Sequence, residues 1–270
     1  MESVNFDRAA GFYDATRALP ETVMAQLLEI LVPELATRQP CLEIGVGTGR
    51  IALPLRMRGV DMAGADISEG MLRRLVANAD GPSLPVVLAD ATRLPVAPES
   101  FGSVLAVHVL HLIPNWRDAV DEAVRVLRPG GALIASFPGG GARERPAGPG
   151  ASTPWASVLR QAAARHGVVR APIGASNPDQ VAGYLGDRAT ARPLPSVPVT
   201  EARTLGQTLH DLEEQLYSWT WPYSRSQVLA AGAEVRDWAT REGIQLDEEH
   251  QVEGSLQWWA FELSELPEGG

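Results

Sequence analysis

At 270 residues with 45% hydrophobic side chains, the chain can build one large α/β core, and no linker divides it into balanced halves, so a single domain is expected. The formal net charge is -10 and all 23 basic residues are arginine, which excludes a lysine Schiff base and, without a basic block, makes phosphate backbones poor partners. The lone cysteine, Cys41, excludes an internal disulfide; no apolar run approaches the ~20 residues of a membrane helix, and the opening MESVNFDRAAGFYD is too polar for a signal peptide, so a cytoplasmic protein with a small-molecule partner is expected.

Apolar residues at Val23, Leu27, Leu28, Leu31 and Leu35 recur at helical spacing and predict an amphipathic helix over 21–35. Strands and helices then alternate: strand 41–44, helix 48–58, strand 60–65, helix 68–79, strand 85–89, strand 103–109, helix 115–127 and strand 131–137. Ser68 suits an N-cap, and Met71, Leu72, Leu75 and Val76 form the stripe its helix buries. The turn Arg128-Pro129-Gly130-Gly131 ends a helix. This alternation predicts a doubly wound, mostly parallel sheet.

After Phe137 the regularity stops. The Gly- and Pro-rich run 139–154 reads as a loop, either a plain connection or a lid over the strand ends. Helices follow at 155–165 and 178–185, the second capped by Asn177, then an irregular or edge strand at 189–203, helices at 206–217 and 224–241, and a last strand at 254–263. Trp219, Trp221 and Tyr223 concentrate aromatic surface, as core packing or as a substrate wall. Trp258 and Trp259 alternate, so they point to opposite faces of that strand.

The segment PCLEIGVGTGR, residues 40–50, carries glycines at 45, 47 and 49 after a short apolar run. A dinucleotide turn reads G-x-G-x-x-G, but here Arg50 takes the slot of the last glycine, and a Walker loop needs a lysine the chain lacks. What remains is E-x-G-x-G-x-G with Glu43 inside the first strand, and two further acids, Asp66 and Asp90, at the carboxyl ends of the next two. In an open sheet this is the edge where ligands bind.

Five segments in order, FYDATR, CLEIGVGTGR, AGADIS, LADATRLP and VLAVHVLHLIPNW with RVLRPGG, give the chain a resemblance to the class I S-adenosylmethionine-dependent methyltransferases, similar to the ubiquinone/menaquinone biosynthesis group; they lie within the stretch from Phe6 to Phe137, about half the chain. The resemblance implies a Rossmann-like fold with an N-terminal helix and additional helices forming a lid. It divides the chain into a cap segment 1–38, a cofactor-binding core 39–138, a variable lid region 139–245 and a last strand and tail 246–270.

It also implies S-adenosylmethionine as cofactor and S-adenosylhomocysteine as product. Asp66 would accept from the ribose hydroxyls, Asp90 from the adenine amino group beside the Ala91 backbone, and Ile67 and Met71 would pack on the ring. Glu43 and the Gly45 carbonyl would lie near the ligand's ammonium, with Gly47 and Gly49 completing the close backbone turn. Tyr13 and Arg17 match a segment that closes over the methionyl end, Arg17 facing its carboxylate. His108 is expected beside the cofactor, and His111 sits where related O-methyltransferases carry a base, so both are candidate catalytic residues; no metal is expected. The expected reaction is methyl transfer to a small-molecule acceptor through oxygen, nitrogen or carbon, by a monomer or homodimer that binds neither nucleic acid nor membrane. The alternatives are a non-catalytic or regulatory S-adenosylmethionine-binding protein and a non-methylating enzyme on the same fold.

Overall fold

A computed structural model of the chain describes residues 3–81, 83–137, 153–169 and 173–264. The chain groups into two compact units where the sequence reading expects a single domain: one comprises residues 1–141, 172–197 and 256–270, the other residues 142–171 and 198–255. Most of the Gly- and Pro-rich loop expected over 139–154 lies outside the described residues.

The first unit opens with a short helix α1 (Tyr13–Arg17) and the amphipathic α2 (Glu21–Ala36), whose Val23, Leu27, Leu28, Leu31 and Leu35 are all buried. Then come β1 (Cys41–Ile44), α3 (Ala52–Met57), β2 (Met62–Asp66), α4 (Glu69–Asn78), β3 (Val86–Leu88), β4 (Phe101–Val107), α5 (Trp116–Val126) and β5 (Leu127–Ser136). These five strands pair in parallel in the order β3-β2-β1-β4-β5, with Ile44 level with Ala65 on one side and Ala106 on the other. The chain reverses its direction of travel across the sheet between β1 and β4, which leaves a crevice at their carboxyl ends. Cys41 is fully buried in β1, where burial pushes its thiol up to about 12 and keeps it inert.

Local chemistry explains both the agreements and the corrections. Ser68 caps α4 as expected: its Oγ accepts from Met71 N at 3.1 Å and donates to Asp7 Oδ1 at 2.6 Å. We expect Ser68→Ala to cost ~1 kcal/mol of stability, read from the urea midpoint at constant slope. Met71, Leu72 and Leu75 are buried, but Val76 is 64% exposed; it falls outside the stripe that α4 turns inward. Helix α3 begins at Ala52 rather than Thr48, because Gly45, Gly47 and Gly49 all take positive φ and an α-helix cannot start through them. The run Arg128-Pro129-Gly130-Gly131 lies within β5 instead of forming a separate turn. The β4–β5 register slips across it, and the Arg128 guanidinium donates to the carbonyls of Gln39, Glu99 and Ser100.

The expected strand 189–203 is two strands, β6 (Ala189–Pro193) and β7 (Val197–Arg203), in different sheets, with Pro195 in the break between them. The expected last strand also divides, into β8 (His250–Leu256) and β9 (Trp258–Leu263). In the first unit, β9 runs antiparallel to β5 and β6 antiparallel to β9, completing a seven-stranded sheet in the order β3-β2-β1-β4-β5-β9-β6. Trp258 is buried and its neighbour Trp259 half-buried. Arg38 and Arg192 share Glu34 and Glu262 in a four-member ion network that ties α2 to β6 and β9.

In the first unit, helix α7 (Pro178–Leu185) is capped by Asn177 in a reciprocal box with Gln180. In the second unit, α6 (Ala156–Arg165), α8 (Leu205–Glu213) and α9 (Arg225–Glu242) bury Trp155, Leu205, Leu209, Val235 and Ala239, and β7 pairs with β8 in a small sheet of its own. Trp219 and Tyr223 pack on the apolar cluster of Val168, Leu212, Val228 and Ala231, while Trp221 Nε1 donates to the Gln215 carbonyl at 2.8 Å. No helix of the described residues is long and apolar enough to cross a membrane.

Candidate functional site

Where β1 ends, the chain turns through three left-handed glycines, Gly45 at φ 64°, Gly47 at 56° and Gly49 at 80°. A β-carbon on Gly45 would stand 2.4 Å from Val109 Cγ2, and one on Gly49 2.8 Å from Leu53 Cγ, whereas one on Gly47 would meet nothing closer than 4.0 Å. The outer glycines are therefore needed for packing. Gly47 is needed to leave backbone bare beside open space.

That space is a cleft whose empty volume, counting the part open to solvent, is about 630 Å³. Gly45, Gly47, Asp66, Ile67, Met71, Asp90, Ala91 and His108 all line it, as the sequence reading expects of a ligand-binding edge. A smaller recess adjoins it, bordered by Glu43, Thr48 and Arg50, with Tyr13, Gly45, Gly47 and Val107 lining both. Phe6 closes on Tyr13 edge to face at 6.0 Å between ring centres.

The acids differ in their surroundings. Asp66 Oδ2 accepts from Gly47 N and Oδ1 from Ser68 N, each at 2.8 Å, so the carboxylate locks the glycine turn to the start of α4. Burial raises its carboxyl above the usual range, the two backbone donors pulling the other way. Asp90 Oδ1 accepts from Thr92 N and Oγ1, both at 2.9 Å, and Oδ2 is outside these bonds. Glu43 is 2% exposed, and its Oε2 is buried with no hydrogen-bond partner among the described residues. Burial pushes its carboxyl up to about 8, against the pull of Arg50. A buried carboxylate oxygen without a donor is costly, and one beside an open recess marks a place for a cationic ligand group.

Two further expectations resolve differently. Arg17 does not line either space; its carbonyl accepts from Arg50 Nη1 at 2.6 Å, and Arg50 is the guanidinium that borders the recess. His111 lies in the short 3-10 turn Leu110–Leu112, and His108, not His111, lines the cleft. Burial first, then Arg50, His111 and Arg17, push the His108 imidazole down to about 3, so it is neutral at physiological pH. The sequence reading missed Arg50 as a lining residue, although its place in the glycine motif was visible. It also missed the N-terminal ties: Asp7 Oδ1 accepts from Gly70 N at 2.8 Å, and Asp14 accepts from Thr48 Oγ1 at 2.5 Å and Asn78 Nδ2 at 3.0 Å. Those ties carry no local sequence signal, because their partners lie 34 to 64 positions away.

Comparison with known proteins agrees with this geometry. Residues 42–135 match the methyltransferase domain family. A demethylmenaquinone methyltransferase of Clavibacter sepedonicus is 33% identical over 138 residues, covering 49% of this chain and 56% of that protein. A malonyl-[acyl-carrier protein] O-methyltransferase of a Methylovorus species is 36% identical over 141 residues, covering 49% of this chain and 48% of that protein. The chain thus spans about half the length of the curated relatives it matches. A solved S-adenosylmethionine-dependent methyltransferase of Thermotoga maritima, described as a possible histamine N-methyltransferase, shares the fold with a TM-score of 0.51 at 16% identity over 96% of this chain and 98% of that one. The matched segment spans β1 to β5 and holds the glycine turn, Asp66 and Asp90; over this core the chain is similar to the methyltransferase domain family and to the demethylmenaquinone methyltransferases.

Proposed function

We propose that this protein transfers a methyl group from S-adenosylmethionine to a small-molecule acceptor. The observation that carries the reading is the unpartnered, buried Glu43 Oε2 at the recess that adjoins the Gly45, Asp66 and Asp90 cleft. A ligand with an ammonium at one end and an adenosine at the other supplies what each part lacks. Glu43 would take the ammonium, Arg50 the carboxylate, Asp66 the ribose hydroxyls and Asp90 Oδ2 the adenine amino group, with Ile67, Met71 and Ala91 against the ring and Tyr13 over the recess. Gly47 permits close approach of backbone to the ribose. The cofactor, once bound, supplies a methyl group activated by a sulfonium. The chain's part is to bind it, align it and keep water away.

The named relatives differ in their acceptors, a demethylmenaquinone in one and a malonyl-[acyl-carrier protein] in the other, so the acceptor is not carried over from either. The neutral His108 is too weak a base to favour proton abstraction, which supports alignment over general-base catalysis. A cytoplasmic protein, monomeric or a homodimer, remains the accompanying expectation. Isothermal calorimetry tests the reading: S-adenosylhomocysteine is expected to bind with a 1:1 stoichiometry and NAD to give no heat, because Arg50 stands where a dinucleotide turn needs glycine. Preference for NAD would sink it.

A further inference from the structure

His108 has features that cofactor binding alone does not require. Its φ is 47°, in the left-handed region that a residue with a β-carbon enters at a cost of roughly 1 kcal/mol or more. Strand β4 stops at Val107, whose register partner is Ser136 at the end of β5. Instead of continuing the ladder, the His108 N–H donates to Ser136 Oγ at 3.1 Å, and Ser136 is 1% exposed. The hydroxyl takes the place of the next ladder carbonyl and allows the chain to turn there without orphaning a donor.

The turn delivers the imidazole to a particular place. His108 lines the larger cleft with Asp66 and Asp90, and it lies near enough to Arg50, at the recess, to feel its charge. On the cofactor reading above, on which this inference rests, the adenosine occupies the cleft and the amino acid the recess; the sulfur joins them where Val107, the residue before His108, lines both, so His108 stands on the cleft side one residue from that junction. An imidazolium beside a sulfonium would be repelled. The neutral ring that burial and the nearby guanidiniums enforce is not, and it keeps one nitrogen lone pair as a hydrogen-bond acceptor.

We propose that Ser136 is a positioning residue that holds His108 in its left-handed backbone, so that the imidazole accepts a hydrogen bond from the O–H or N–H of the group that takes the methyl. His108 orients that group while the sulfur–methyl bond breaks and the bond from methyl to the acceptor oxygen or nitrogen forms; the sulfonium leaves as the neutral thioether, and the methylated product, still carrying its proton, loses it to water on leaving the site.

Two measurements test this without knowledge of the acceptor. Sinefungin, which carries an amine where S-adenosylmethionine carries its methylated sulfonium, offers a donor at the junction, and S-adenosylhomocysteine offers none. The ratio of their affinities should fall about tenfold in Ser136→Ala and recover in Ser136→Thr, which keeps the hydroxyl, while S-adenosylhomocysteine affinity in both stays within a few-fold of the parent. Thermal unfolding gives the second readout: His108→Gly should melt above His108→Ala, because glycine relieves the left-handed backbone, and it should lose the sinefungin preference. An unchanged ratio in Ser136→Ala, a Ser136→Thr variant that behaves like alanine, or His108→Gly melting below His108→Ala would overturn the proposal. Failure of the parent to bind S-adenosylhomocysteine would instead overturn the cofactor reading.

Discussion

Asp66→Ala is expected to weaken S-adenosylhomocysteine binding by about tenfold to a hundredfold, since hydrogen bonds to a charged acceptor contribute on the order of 1.5 to 3 kcal/mol. The structure adds a second effect. Both carboxylate oxygens already hold backbone donors, Gly47 N and Ser68 N, so truncation also frees the glycine turn from α4. Stability should fall too, by ~1 to 3 kcal/mol for each donor left buried without an acceptor. Asp66→Asn separates the two effects, because its carbonyl oxygen can keep one backbone donor while the negative charge is lost. The measurement is a calorimetric isotherm beside a urea melt for each variant. An unchanged dissociation constant in both would reduce Asp66 to a structural cap.

The second large effect concerns pH and Glu43. Its carboxyl is pushed from the usual 4.5 to about 8, chiefly by burial, with Arg50 pulling it down and Asp66 pushing it up. The folded, ligand-free protein therefore holds this proton at pH 7, where the unfolded chain does not. For an acid raised on folding, the stability contribution is complete below the unfolded value and is lost as pH climbs through the folded one. Glu43→Gln should therefore melt higher than the parent at pH 8 and differ little near pH 4.5. Binding has the opposite slope: an ammonium at Oε2 favours the ionised carboxylate, so a proton is released on binding below pH 8. S-adenosylhomocysteine affinity should rise between pH 6 and 8, approaching ~10-fold per unit, then level off, and Glu43→Gln should flatten the profile. Calorimetry in buffers of different ionisation enthalpy counts the proton directly. A parent profile that is flat across this window would remove Glu43 from the cofactor's ammonium.

The alternation of short apolar runs and amphipathic stretches from Cys41 to Ser136 was legible because strand and helix periods are local properties of the chain. So was the glycine turn: few other ligands need bare backbone at alternate positions after a strand, with acids at the ends of the next two. Asp66 and Asp90 are legible at strand ends, while Ile67, Met71, Ala91 and His108 follow from the family resemblance; all line one cleft. Beyond Phe137 the reading weakened for a physical reason. The runs 189–203 and 254–263 each supply one strand to the large sheet and lead into another that pairs elsewhere, and only long-range pairing decides where such a run breaks.

The chain's own order therefore determined the sheet, the turn and the identity of the acids, since each depends on residues within a few positions of one another. Tertiary structure decided what those residues face. It put Arg50 rather than Arg17 at the recess: Arg50 follows the glycine turn directly, and the Arg17 carbonyl accepts from it. It turned His108 rather than His111 into the cleft, because the Ser136 hydroxyl, 28 positions away, satisfies the N–H that the left-handed turn would otherwise strand. It also left Glu43 Oε2 without a partner, a property of everything packed around β1 that no local pattern encodes.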